Sequence, residues 1–213
     1  QRSIPGIFHN NCRTIALSHL PDSPFWRMLR GMIRASDFPS LIHPARPAWS
    51  TRLHVLPSLI PRRWRAWLTD EGSLTARLSA LSPGNFRVEC QREGFSYATP
   101  TEQKELGLGP SERIWHREVI LYLQDTAVVY ARTAVPDRAL RGPLSRLRYL
   151  GNRSLGSFLF SQPDLQREFV RVSRCKANAA GLNWARRSVF RVNGCRLMVT
   201  EAFSPDLGQF DEL

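Results

Sequence analysis

The run Arg113-Ile-Trp-His-Arg-Glu-Val-Ile-Leu-Tyr-Leu123 limits the fold more than any other stretch of the chain. Read as a strand, it places Trp115, Arg117, Val119, Leu121 and Leu123 on one face, because successive side chains alternate. Gln124-Asp125 reads as a turn, and 127–135 returns as the second strand of an antiparallel hairpin. The first face is apolar except for Arg117. A guanidinium stays charged and is costly to bury without an anion, so Arg117 requires a carboxylate or phosphate nearby.

The end of the chain repeats the oddity with the opposite sign. Strands over 186–192 and 195–203 are joined at Asn193-Gly194, a strong two-residue hairpin signal. On the second of them Cys195, Leu197, Val199, Glu201 and Phe203 share a face, so Glu201 points toward the same apolar interior as Arg117. Two explanations stay open. The two side chains pair directly as a buried salt bridge, or they face one another across a cavity and hold opposite ends of a small polar molecule. In the second case Arg117 takes a carboxylate and Glu201 accepts from a hydroxyl.

Between these landmarks the pattern predicts an α+β fold. Helices are expected over 61–68 and 73–81, the latter with Ser73 as N-cap. A long strand over 86–97 turns Phe86, Val88 and Cys90 inward and brings Arg92 with them, and Gly94 suggests a bulge. Residues 98–112 read as a polar connection. Its Gly107-Leu108-Gly109-Pro110 lacks the strand-to-helix setting of a phosphate loop. A helix interrupted at Gly142-Pro143 is predicted over 137–150, and another over 163–174. Ser154 can cap a short helix whose free N–H groups near Leu155 and Gly156 would form a small anion site.

Residues 1–48 differ from the rest. Three prolines between Phe38 and Pro47 deny regular hydrogen bonding, so a basic, proline-rich and poorly ordered extension is expected, followed by one folded domain over 49–213. Residues 24–34 could form a basic amphipathic segment within it. The net charge of +12 is concentrated toward this end, where residues 1–65 carry ten arginines against Asp22 and Asp37. That distribution favours a compositionally biased surface over a nucleic-acid face, so no nucleic-acid partner is expected. The four cysteines form no C-x-x-C pair, and no window reaches the ~18 apolar residues of a membrane span. A cytoplasmic setting without stable membrane insertion, and a monomer, are the expectations. The five histidines show no metal-ligand spacing, and no nucleophile elbow or Cys-His pairing is present, so neither a metal nor nucleophilic catalysis is expected. His116 alternates to the face opposite Arg117 and reads as a surface residue.

From about residue 50 onward, ordered motifs give the chain a resemblance. They are Trp64-x-x-Trp67-Leu68, Ser73-Leu74-Thr75, Arg92-Glu93-Gly94-Phe95 and Trp115-x-Arg117-Glu118. Then follow Arg132-Thr133-x-Val135-Pro136, Gly142-Pro143, Leu150-Gly151, Leu155-Gly156, Leu159-Phe160, Trp184-x-Arg186-Arg187-Ser188 and Thr200-Glu201. In this order they resemble the chorismate lyase family, which makes 4-hydroxybenzoate and pyruvate from chorismate at the start of ubiquinone synthesis. The resemblance implies a single antiparallel sheet flanked by helices over an enclosed ligand pocket, and a reaction without a cofactor. It also implies that Arg117 binds the ring carboxylate with help from backbone amides at Leu74 and Leu155, while Glu201 contacts the 4-hydroxyl. Arg132 or Arg92 is a further candidate, for the enolpyruvyl carboxylate. The alternative is a small-molecule-sensing effector domain of the same fold without catalysis. No winged helix to accompany such a sensor is expected in the first 50 residues.

Overall fold

The structure, a computed structural model, describes residues 49, 57–142, 144–175, 182 and 184–210. The expected extension over 1–48 lies outside them.

Six strands form one antiparallel sheet: β1 (Phe86–Tyr97), β2 (Arg113–Leu123), β3 (Thr126–Pro136), β4 (Gln166–Arg174), β5 (Trp184–Val192) and β6 (Cys195–Phe203). Their order across the sheet is β1-β2-β3-β6-β5-β4, so β2, β3, β6 and β5 are central and β1 and β4 are edges. The two tight turns form as their residues dictate. Asn193 and Gly194 both take positive φ, 48° and 74°, as a two-residue hairpin linking right-twisted strands requires.

Helices α1 (Arg62–Thr69) and α2 (Leu74–Leu81) lie over the first face of the sheet, as does the short α4 (Leu155–Leu159). Trp64, Trp67, Leu68, Leu74 and Leu78 pack there with Val119, Leu121, Val129 and Phe203 into one core. The second face is covered by α3 (Pro100–Leu106), whose Leu106 packs with Ile114, Ala134, Val189 and Met198.

Several expectations are corrected. Residues 98–112 are not a plain connection, because they contain α3. Its start is a capping box in which Thr99 Oγ1 accepts from Glu102 N at 3.3 Å and Thr99 N donates to Glu102 Oε2 at 2.8 Å. Gly107, with φ of 67°, ends the helix in the left-handed conformation. The predicted helix over 163–174 is strand β4. Leu165, Phe169 and Val172 carry helical spacing by accident, because a register shift between Arg167 and Phe169 adds a residue and breaks the period of two. The predicted helix over 137–150 is a pair of 3-10 turns, Asp137–Arg141 and Ser145–Tyr149. The bulge in β1 lies between Cys90 and Arg92, before Gly94.

No helix among the described residues is long and apolar enough to cross a membrane.

Candidate active site

Arg117 lies in the middle of β2, 1% exposed, and faces the side of the sheet that carries α2 and α4. Its Nη2 donates to the carbonyl oxygens of Gly151 at 2.7 Å and Arg153 at 3.0 Å. These belong to a tight loop that Gly151 opens at a φ of 53°. Asn152 fastens the same loop to β1 by accepting from Cys90 N at 3.0 Å, an N–H beside the bulge. These two carbonyl oxygens fix the direction of the guanidinium.

Arg117 also has a carboxylate neighbour that the sequence reading missed. The extra residue in β1 inverts the alternation counted from Phe86, so Glu93 comes opposite Arg117. Burial raises the Glu93 carboxyl above its ordinary range, and the attraction of Arg117 offsets that only in part. Arg92, by the same inversion, comes opposite Glu118 and is exposed on the other side of the sheet.

Glu201 lies in β6, 9% exposed, beside Ala131, while Arg117 lies beside Thr133. The two are separated by the width of β3 and two residues along it, which on strand spacings of about 4.8 Å and 3.3 Å places their Cα atoms roughly 12 Å apart. They do not pair with each other. Glu201 Oε2 accepts from Arg186 Nε at 2.8 Å, directly across in the register of β5 and β6. Its other oxygen, Oε1, has no hydrogen-bond partner among the described residues.

Between them is a cavity lined by Arg117, Thr133, Val199, Glu201, Leu74 and Leu155, among others. Its roof is made by two helix starts. Ser73 caps α2 by accepting from Ala76 N at 3.3 Å, and Ser154 caps α4 by accepting from Ser157 N at 3.2 Å. The first N–H groups of each helix have no acceptor within their own helix. The two starts are joined where Ser154 Oγ donates to Thr75 Oγ1 at 2.8 Å, and the approach is so close that Gly156 has no room for a side chain.

Among the described residues one further cation lines this cavity, and it carried no signal in the sequence. Arg167 is turned inward by the bulge in β4, which brings it opposite Phe190. Its Nη1 and Nη2 donate to the carbonyl oxygens of Asp70 and Gly72, at 3.0 and 3.2 Å. Burial, then the like charge of Arg186, lowers its pKa to about 10, which still leaves it a cation at neutral pH.

Arg117, Glu201, Leu74 and Leu155 are therefore brought to one cavity, and Arg132 and Arg92 are not. Arg132 is buried on the opposite face, where its Nε and Nη2 donate to Glu102 Oε1 and its Nη1 donates to Glu118 Oε1. It ties α3 to the sheet. His116 is on that face as expected, but it is buried, with Nδ1 3.2 Å from Ser96 Oγ. Burial, then the charges of Arg132 and Arg92, lowers its pKa to about 4.

The chain is 45% identical over 146 residues to a probable chorismate pyruvate-lyase of Marinobacter nauticus, covering 68% of this chain and 78% of that one. It is 40% identical over 177 residues to a probable chorismate pyruvate-lyase of Halorhodospira halophila, covering 76% and 92%. With the chorismate pyruvate-lyase of Pectobacterium carotovorum it shares 37% identity over 150 residues, covering 70% and 81%. Among solved structures it is similar to the effector domain of PhnF from Mycobacterium smegmatis, with a TM-score of 0.49 and 16% identity over 65% of this chain and 92% of that one. The model of one family, chorismate lyase, matches residues 46–209, most of the chain. On that match and those identities, the chain belongs to the chorismate lyase family.

Proposed function

We propose that this chain converts chorismate to 4-hydroxybenzoate and pyruvate. The observation that carries the reading is one cavity lined by a buried arginine, Arg117, and by the carboxylate of Glu201, in a chain of this family. Arg117 takes the ring carboxylate, and backbone N–H groups at Leu74 and Leu155 add donors from the two helix starts. Glu201 accepts from the 4-hydroxyl through Oε1. With the ring held at both ends, the bond from C3 to the ether oxygen breaks and its electron pair leaves with the enolpyruvyl group, which is protonated to pyruvate. The hydrogen on C4 leaves as a proton, and its electron pair completes the third double bond of the ring.

Aromatisation drives the step and the electron balance needs no oxidant. The work of the protein is to orient the ring, exclude water and stabilise charge on the departing oxygen. The cavity is about 50 Å³. That is below the roughly 150 Å³ of a cavity that takes one benzene. The cavity must therefore widen to take the ring, and parting α2 from α4, which line it at Leu74 and Leu155, is the movement that would widen it. The product keeps both anchored groups, so its release limits turnover. We assign the chain to the supply of 4-hydroxybenzoate for ubiquinone synthesis, in the cytoplasm. No observation favours a sensing role without catalysis.

An ultraviolet assay of the purified protein with chorismate, identifying the hydroxybenzoate isomer formed, tests this. The 4-isomer is expected, and failure to form it removes the function. A charge-assisted bond contributes about 1.5 to 3 kcal/mol. Arg117→Ala should therefore lower kcat/KM by roughly ten- to 150-fold. Near wild-type rates in both Arg117→Ala and Glu201→Gln would remove the site assignment.

A further inference from the structure

We propose that Arg167 binds the second carboxylate of the substrate, the one on the enolpyruvyl ether, and thereby separates substrate from product. This rests on the lyase reading above and assigns a group that reading leaves without a partner. Chorismate carries a ring carboxylate on C1, the ether on C3 and the hydroxyl on C4. Because C3 and C4 are neighbours, a ring whose hydroxyl meets Glu201 must send its ether side chain past that carboxylate, at the end of the cavity away from Arg117.

Arg167 is the cation found there. It shares the cavity lining with Glu201 and lies within reach of the glutamate's charge. Arg186, the other arginine beside Glu201, is committed to Glu201 Oε2 and to the Asp70 carbonyl oxygen at 2.8 Å. Arg132 and Arg92 are on the wrong side of the sheet. Among the described residues the hydrogen bonds of Arg167 go to two neutral carbonyl oxygens, and its Nε is buried with no hydrogen-bond partner. A buried N–H without an acceptor is costly, and a carboxylate satisfies it while neutralising the charge. The orientation is prepared in advance, because the guanidinium carbon is 4.7 Å from the ring centre of Phe190 and 6.0 Å from that of Phe160. Phe160 is 41% exposed, so this end of the cavity adjoins the surface through which pyruvate can leave.

The experiment compares substrate with product. In Arg167→Gln, KM for chorismate should rise roughly ten- to hundredfold while Kd for 4-hydroxybenzoate stays within about twofold of wild type, since the product lacks the second carboxylate. Arg167→Lys should recover part of the loss. Equal loss of substrate and product affinity overturns the assignment and leaves Arg167 a structural clasp on Asp70, and unchanged chorismate kinetics overturn it as well. A second measurement needs no variant. Wild-type protein should bind 3-(carboxymethoxy)-4-hydroxybenzoate at least about tenfold more tightly than the corresponding carboxamide. Equal affinities overturn the proposal. Wild-type protein that binds 4-hydroxybenzoate but does not turn over chorismate fails the lyase reading instead, and is recognised by that pairing of results.

Discussion

Gly156→Ala is the most direct probe of how the cavity closes. A methyl carbon built on Gly156 would meet Thr75 Oγ1 at 2.6 Å, Ser73 Oγ at 3.0 Å and Thr75 Cβ at 3.1 Å. Rotating Thr75 removes the first contact but not the third, because Cβ is fixed to the backbone. The overlap must be relieved by moving α2 away from α4, and overpacking of this kind costs about 1 to 3 kcal/mol. The strain falls on the closed arrangement, in which Ser154 Oγ donates to Thr75 Oγ1. Ligand affinity should therefore fall by roughly 5- to 150-fold, the same free energy expressed as an equilibrium constant. Titration with 4-hydroxybenzoate measures this, and urea unfolding of the empty protein should show a smaller change. Adding Thr75→Ala should return part of the lost affinity, since the two sites are in contact and their effects cannot be additive. Wild-type product affinity in Gly156→Ala would refute the claim that this contact sets closure.

Other perturbations have equally definite outcomes. Glu201→Gln leaves Arg186 a buried cation without its carboxylate, so stability should fall by about 3 to 5 kcal/mol in urea unfolding. Arg186→Met together with Glu201→Gln should recover much of that while leaving activity low. His116 is held neutral in the folded state, and its unfolded value near 6.5 lies above its folded value of about 4. The unfolded chain therefore binds more protons between those values, and stability should fall as pH drops from about 6.5 to 4, by up to roughly 3 kcal/mol. His116→Gln should flatten that part of the curve, and an unchanged pH profile would refute the assignment. If release limits turnover, a pre-steady-state burst of 4-hydroxybenzoate should precede the linear phase, and linear kinetics from the first turnover would count against it.

β2, β5 and β6 were legible because their residues obey one period, whereas β3 carries one extra residue at Val128. β2 and β6 were read with the bounds they have, and the inward positions of Arg117 and Glu201 follow from alternation alone. The Arg186–Glu201 pair was equally within reach, because counting back from Asn193-Gly194 brings those two residues opposite one another. Capping chemistry was the missed signal for α3, since Thr99-Pro100-Thr101-Glu102 joins a capping box to a proline in the first turn. The edge strands were not legible in the same way. One extra residue in β1 and one in β4 exchange the two faces, so Arg92 is lost from the cavity, Glu93 is gained and Arg167 is gained. Nothing in a local window of residues fixes where a bulge will fall, because its position is chosen by what the partner strand and the helices above can accommodate.

The bare Nε of Arg167 has a consequence for the lifetime of the protein. A buried N–H without an acceptor among the described residues costs the empty form stability, and any ligand that completes it stabilises the fold by mass action. At a hundred times its Kd, a ligand adds about 2.7 kcal/mol, enough to reduce the unfolded fraction open to proteases about a hundredfold. The abundance of the protein should then rise and fall with the supply of its own substrate. The folded population becomes a gauge of the metabolite, with no regulator in between.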